Sequence, residues 1–397
     1  MNLIINKTHI DNNKLVSKIE YENKSYDMYF KVEDEYKTYL CDMNANSFLI
    51  ALLPFIVKHN YNVIIKDKIS SKLYYQLTTY LLPLLCKTFK KNNINIECEL
   101  TDELYNGKAI GASISCGVDS FYTLFKHRNL KNNKNIIHLC FFNAGSNGDF
   151  GGEDSDNLYK KRLSHVREFC KKYNYPFITI DSNMNELILM SHEKRHTFTT
   201  LACVYALEKL FNTYYFASGL EFDGSHIDEK DTAFYDILNV HALSNENITF
   251  YCSGLETSRI EKVKFISEFE ETYDYLNVCV GHDWDNCSRC EKCSRTMAEL
   301  ESIGKLDKYK NVFDLDYYYK NRNKILSTII HDKKDPIKKY FCIDTLKTYK
   351  ENNIKIPFSS YIIAKVPTWK KVKIHLRKYK IVKKIRKIEQ PKDGWMD

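Results

Sequence analysis

The sequence predicts an α/β protein: a five-stranded parallel, doubly wound sheet with an N-terminal α+β accessory domain and a helical C-terminal extension. Three observations carry this. Apolar runs at 109–114, 136–142, 177–180, 214–217 and 248–252 alternate with amphipathic stretches, of which 159–173 and 197–211 are the clearest. The runs are continuously apolar, as in strands covered by helices on both faces. Small and polar residues follow each run, where parallel sheets bind ligands. The expected boundaries are 1–105 for the accessory domain, 106–304 for the sheet domain, 305–366 for the helical extension and 367–397 for a basic amphipathic tail.

Length and composition fit a folded protein with ample core: 397 residues, 44% apolar, 28% charged. The most apolar piece, 48–57, is too short to span a bilayer. The first residues lack a basic region followed by an apolar one, so no signal peptide is expected. Most of the thirteen cysteines are scattered singly, which suits reduced thiols in a cytoplasm. The net charge of +8 is uneven. Residues 370–387 carry ten Lys/Arg and no acid, and removing them leaves the remainder at −2. The basic character belongs to the tail.

Short alternating bursts in residues 1–40 read as antiparallel hairpins. Asn44-Ala45-Asn46-Ser47 offers N-caps for a helix over 48–58. Residues 62–66 and 94–100 read as strands, and 71–90 as a helix that Pro83 must kink or break.

The sheet domain opens on its most informative stretch. Ala109 to Ile114 is a strand of small and β-branched residues, Ser115-Cys116-Gly117 breaks it, and Val118, Phe121, Leu124 and Phe125 then fall on one helical face. A strand, a tight loop and a helix N-terminus together make an anion site. Ser115 and Ser120 add hydroxyls, and Asp119 a carboxylate for Mg²⁺. The loop reads as a cradle for ATP phosphates or as an ordinary turn. Polar residues at the other strand ends favour the cradle: Asn143 to Gly152, Asp181, 191–197, Ser218-Gly219-Leu220-Glu221, and Ser253-Gly254. His192 and His196 are candidate general bases or plain helix-entry residues. Glu221 and Asp223 either hold a metal or amine or lie in a solvated loop. At a helix N-terminus Cys116 is expected to have a lowered pKa and could carry sulfur; alternatively it is a small side chain that fits.

Cys279, Cys287, Cys290 and Cys293 bring four thiols close together. Tetrahedral Zn²⁺ is the simplest occupant and an iron–sulfur cluster the rival. His282 could replace Cys279. Lys292 and Arg295 sit where the next helix begins.

A Ser-X-Gly-X-Asp-Ser loop after the first strand of an α/β unit resembles the PP-loop ATP pyrophosphatase superfamily, whose fold is Rossmann-like and adenine nucleotide alpha hydrolase-like. The cysteine spacing narrows the resemblance to the cyano-deazaguanine synthases of queuosine biosynthesis, over residues 108–304. Cys116 stands where that loop usually has Gly, and the chain is longer than those enzymes. The resemblance implies ATP, Mg²⁺ and Zn²⁺ as cofactors. It places the nucleotide against Ser113, Ser115, Cys116, Gly117, Val118, Asp119 and Ser120, with Asn143 and Gly219 nearby, and Zn²⁺ on the four cysteines. Arg195 sits like the family's loop arginine, here expected on the triphosphate or in a surface salt bridge. Tyr235 and Asp236 lie near its substrate-contacting segment. The implied reaction is adenylation of a carboxylate or amide oxygen of a small or carrier-bound substrate, pyrophosphate release, and addition of nitrogen or sulfur, with Asp119, Ser120 and Arg195 as catalytic residues. The alternatives are a tRNA-thiolating enzyme and a non-catalytic nucleotide-binding protein.

In the tail, Trp369, Val372, Leu376, Tyr379, Val382, Ile385 and Ile388 recur every three or four residues against lysines. Such a helix docks on its own body, on an anionic membrane surface or on RNA. The expected location is cytoplasmic or peripheral at the membrane, with homo-oligomerisation open.

Overall fold

The computed structural model describes residues 1–281, 285–335 and 338–365. The chain divides into two compact units, Met1–Tyr318 and Tyr319–Asp397. The predicted tail and His282 lie outside the described residues. Among the described residues no helix is long and apolar enough to cross a membrane.

The first unit holds one mixed sheet of eleven strands, not five. The strands are β1 (Asn2–Ile5), β2 (His9–Asp11), β3 (Lys14–Tyr21), β4 (Lys24–Val32), β5 (Asn62–Ser70), β6 (Ile96–Thr101), β7 (Ala109–Ser113), β8 (His138–Asn143), β9 (Phe177–Ser182), β10 (Phe211–Ala217) and β11 (Thr249–Ser253). They lie in the order β11-β10-β7-β8-β9-β4-β3-β1-β5-β6, with β2 beside β3. The five predicted parallel strands are present, β11 to β9. Their sheet does not end at β9, because β4 pairs with it antiparallel, Phe30 opposite Ser182 and Val32 opposite Ile180. The strands expected in an accessory domain thus extend the same sheet.

Local sequence accounts for these elements. β7 is buried on both faces, which suits its small residues. Gly111 is required there: a Cβ would stand 2.6 Å from the Phe211 ring and 3.2 Å from Tyr214 on neighbouring β10. Helix α1 (Asn46–His59) is apolar all round and buried from Asn46 to Val57, as such helices must be. The Asn44 side chain accepts from the Asn46 N–H at 3.0 Å, and Asn60 ends the helix in the left-handed conformation. Next come α2 (Ser71–Gln76) and α3 (Leu82–Thr88), joined by a π-helical turn at Leu77–Leu81 just before Pro83. That turn is the expected break: proline lacks the N–H that an unbroken α-helix needs.

The remaining helices of this unit are α4 (Val118–His127), α5 (Glu153–Lys172), α6 (Met184–Ile188), α7 (His196–Ala206), α8 (Asp236–Ala242), α9 (Arg259–Ile266) and α10 (Glu291–Ser302). α1 packs along α7. Beneath them the buried Glu208 carboxylate accepts from Asn44 at 2.9 Å and from Asn46 and Asn247 at 3.2 Å, and also from Asn245. Burial pushes its pKa up, and the four amides restrain the rise. This knot ties residues 44–46 to the segment that leads into β11. Helix α11 (Leu315–Asp332) begins in the first unit. α12 (Lys339–Glu351) and α13 (Phe358–Lys365) belong to the second, where Arg322 donates to the Lys355 carbonyl at 3.0 Å.

Candidate anion site and four-cysteine centre

Strand order locates the crevice. From β7 the chain builds outward through β8 and β9, then returns to the other side of β7 with β10 and β11. The topological switch point lies between the carboxyl ends of β7 and β10, where such sheets bind ligands. The loop after β7 leads into α4, and Ser218 follows β10. Lys262 of α9 spans them, its Nζ donating to the Ser218 carbonyl at 2.7 Å and to Asp119 Oδ1 at 3.2 Å.

The loop is internally braced. Ser120 Oγ donates to the Gly117 carbonyl at 3.0 Å and lies 3.3 Å from Ser115 Oγ, and the Gly117 N–H donates to Ser115 Oγ at 3.3 Å. Ser115 is exposed and Ser120 buried. Val118 is buried and packs inward rather than facing the site. Cys116 adopts φ +58°, the left-handed region, which explains why glycine would be natural there. Its side chain is fully buried, and burial, with Cys170 nearby, pushes the thiol well above its ordinary pKa. The expected thiolate is therefore corrected: desolvation outweighs the helix terminus, and Cys116 is a packing residue.

Three helix N-termini carry this loop's surroundings. α4 begins at Val118, α9 at Arg259 and α10 at Glu291. Arg259 Nη1 lies 3.1 Å from Asp119 Oδ2, and its Nε 3.5 Å from Glu299. Arg295 Nε lies 3.6 Å from the other Glu299 oxygen. Burial alone would raise the Asp119 pKa, but Lys262, Arg259 and Arg295 hold it below the ordinary carboxylate value. Lys292 belongs to the same field: desolvation, Arg295 and Arg259 lower its pKa, and Asp119 opposes them. Four cations thus face two carboxylates, each in the first turns of a helix whose dipole disfavours positive charge. An anion at this place would relieve both. Both oxygens of Asp119, the residue expected to hold Mg²⁺, are paired with cations here, Oδ2 with Arg259 and Oδ1 with Lys262.

The second feature adjoins the loop. The Asn277 N–H donates to the Cys116 carbonyl at 2.8 Å, and two residues on the cysteine cluster begins. The four Sγ atoms of Cys279, Cys287, Cys290 and Cys293 lie within 4.8 Å of one another, and Cys279 and Cys290 are 4.0 Å apart. Tetrahedral zinc with bonds of about 2.3 Å sets sulfurs roughly 3.8 Å apart. The site could hold a metal ion such as zinc. Backbone N–H groups of Gly281, Cys290 and Cys293 donate to Cys279, Cys287 and Cys290 sulfurs at 3.3, 3.2 and 3.4 Å. Asn286 staples the loop, accepting from the Val278 N–H at 2.9 Å and donating to the Leu276 carbonyl at 2.8 Å. Cys290 also caps α10, so the cluster fixes the helix that carries Lys292 and Arg295.

No known protein family, curated protein or solved structure matches this chain.

Beyond Lys292 lies an acid–base cluster. His196 Nε2 is 3.4 Å from Asp231 Oδ1. Burial works against the His196 charge, but Asp231 and Asp236 overcome it and raise the pKa. Asp236 is buried, accepts from Thr197 Oγ1 at 2.6 Å, and leaves its Oδ2 without a hydrogen-bond partner. Burial pushes its pKa to about 7. His192, 5.4 Å away ring to ring from His196, is held well below its ordinary pKa by burial and by His196. Lys292 acts on both His192 and Asp231, so this cluster and the loop share one field.

Other expected residues are placed elsewhere. Arg195 is fully buried, its guanidinium donating to the Met190 carbonyl at 2.9 Å, Asn185 Oδ1 at 2.8 Å and the Asp149 carbonyl at 2.8 Å. It braces the loops after β8 and β9 and does not reach the surface. Ser113 bonds the Tyr214 hydroxyl at 2.6 Å, and Asn143 bonds Asp181 at 2.8 Å. Gly219 is exposed beside Ser218, and Glu221 and Asp223 lie in an exposed loop. The residues that sequence reasoning missed are Arg259 and Lys262. Their signal was a Ser258–Glu261 capping box with cations in the first turn, against the helix dipole.

Proposed function

We propose that the protein is an ATP-dependent ligase of the PP-loop ATP pyrophosphatase kind, adenylating a carboxylate or amide oxygen of a small or carrier-bound substrate. The single observation that carries this reading is the convergence of three helix N-termini and four cations on the Ser115–Ser120 loop at the switch point. A triphosphate needs such a place: N–H groups of the first turn of α4, two hydroxyls and focused positive charge.

In this reading the β- and γ-phosphates lie on the loop, against Ser115, Gly117 and Ser120. The substrate oxygen attacks the α-phosphorus, and the bond to the bridging oxygen of pyrophosphate breaks. Arg259, Lys262, Lys292 and Arg295 stabilise the charge that develops on the leaving pyrophosphate. Asp119 holds Arg259 and Lys262 in position. An amine or sulfur nucleophile then displaces AMP. Asp236, with its open Oδ2 and near-neutral pKa, takes the proton that an amine must lose, and His196 stands beside it. The zinc centre, when occupied, supplies structure only, since a closed four-sulfur site offers no open coordination position.

The test is pyrophosphate release from ATP across a panel of carboxylate and amide acceptors. At least one acceptor is expected to stimulate release, and Ser115→Ala, which removes the exposed hydroxyl of the loop, to lower it by ~100-fold, the scale of losing one preorganised donor. Release unaffected by every acceptor, or unchanged in the variant, contradicts the reading.

A further inference from the structure

We infer that the second unit docks on an anionic lipid surface through α13. The helix has reversed polarity. Ser360 is fully buried and Ala364 half-buried, while Phe358 is 78% exposed, Tyr361 41% and Ile362 53%. Phe358, Tyr361, Ile362 and Lys365 stand at helical spacings of three, four and seven, so they share one face. Ser360 and Ala364 lie on the opposite side. Ile363, 41% exposed, lies off this stripe, on the side of Ser360. A helix that ended its life in water would turn these faces the other way.

The identity of the occupant follows from charge. Beyond Lys365 the sequence carries ten Lys/Arg and no acid over 370–387, against −2 for the rest of the chain. An apolar patch followed directly by a basic run is the two-signal pattern of reversible membrane attachment: aliphatic burial plus attraction to anionic headgroups. Nucleic acid would use the lysines and leave the exposed Phe358 and Ile362 without a role. A second copy would use the apolar face, but it would bring two basic runs together. Lys365, at the end of the stripe, can lay its stem along the apolar surface and keep its ammonium at the headgroups.

The test is flotation of the full chain with vesicles of phosphatidylcholine alone and with about one third phosphatidylserine. The chain is expected to float with the mixed vesicles, less so as salt rises, and not with the neutral ones. Ile362→Asp is expected to lower the binding constant at least tenfold with an unchanged melting profile, because the side chain is exposed. Phe358→Ser is expected to lower it in the same direction. Absence of flotation overturns the inference. So does undiminished flotation of Ile362→Asp, which would leave charge alone at work. Displacement from vesicles by single-stranded RNA, with both variants binding RNA like wild type, would assign the tail to nucleic acid. A dimer in solution that Ile362→Asp splits would assign the face to a second copy. None of these outcomes depends on whether ATP is cleaved.

Discussion

At the scale of single residues, the buried groups near the switch point decide how the protein responds to pH. Asp236 titrates at about 7 in the folded protein against 3.8 ordinarily, because burial disfavours its charge. The folded state therefore holds this proton more tightly than the unfolded chain. Stability from it is full below the ordinary value and is lost as pH rises to about 7. At 1.36 kcal/mol per pH unit the whole change is roughly 4 kcal/mol. His196 is also raised, so its contribution is present below its ordinary value and is lost as pH rises through the folded one. Asp231, held low by its bond to His196, acts in the opposite sense and only in acid. The stability of Asp236→Asn relative to the wild type is thus expected to rise with pH between about 4 and 7, because the variant lacks the proton that the wild type loses there. An equal slope in the variant would contradict the assignment. Cys116 shows the limit of reading residues from sequence. Its place at a helix N-terminus is visible there, but the direction of its side chain is not, and direction decides whether burial or the dipole sets its pKa.

At the scale of elements, the cysteine cluster is a hinge pin between the Ser115–Ser120 loop and α10. Spacing made it legible, because thiols that close in sequence can hardly avoid one another. The partners of Asp119 were not legible: Arg259 and Lys262 lie about 140 residues away, and only the fold brings α9 to α4. The partners of Arg195 were hidden for the same reason. Its position after a strand end was right for an anion, but the carbonyls of Met190 and Asp149 reach it first. The purified protein is expected to hold one metal ion per chain, with zinc the expected metal. Cys290→Ser should lose it, together with the cap of α10, and lower the unfolding midpoint. Structural zinc supplies about 10–16 kcal/mol in small domains, and part of that should be missing here. Because α10 carries Lys292 and Arg295, ATP affinity should fall at least tenfold in the same variant. Full ATP affinity in metal-free protein would separate the two sites.

At the scale of the whole molecule, the parallel strands and their order of appearance were legible from apolar runs. The single sheet was not. A strand that ends one sheet and a strand that continues another look alike in sequence, and only the pairing of β4 with β9 joins them. The consequence is testable. A chain beginning at residue 106 would lose β4 from the edge of β9 and α1 from the face of α7. Phe48, Leu49, Ile50, Leu52, Leu53 and Ile56 are all fully buried. At about 1.5–3 kcal/mol each they rival the whole stability of a domain, about 5–15 kcal/mol. The shortened chain is expected to be protease-sensitive and to melt without cooperativity; a sharp transition would show that the two parts fold separately. The same architecture sets the switch point between β7 and β10, on which the functional reading rests. Equilibrium binding of ATP, with pyrophosphate and adenosine as competitors, tests that reading most directly. ATP is expected to bind, pyrophosphate to displace it and adenosine to do so far less well, and Arg259→Ala is expected to weaken ATP at least tenfold. An ATP affinity that pyrophosphate leaves untouched, or no ATP binding at all, would contradict it.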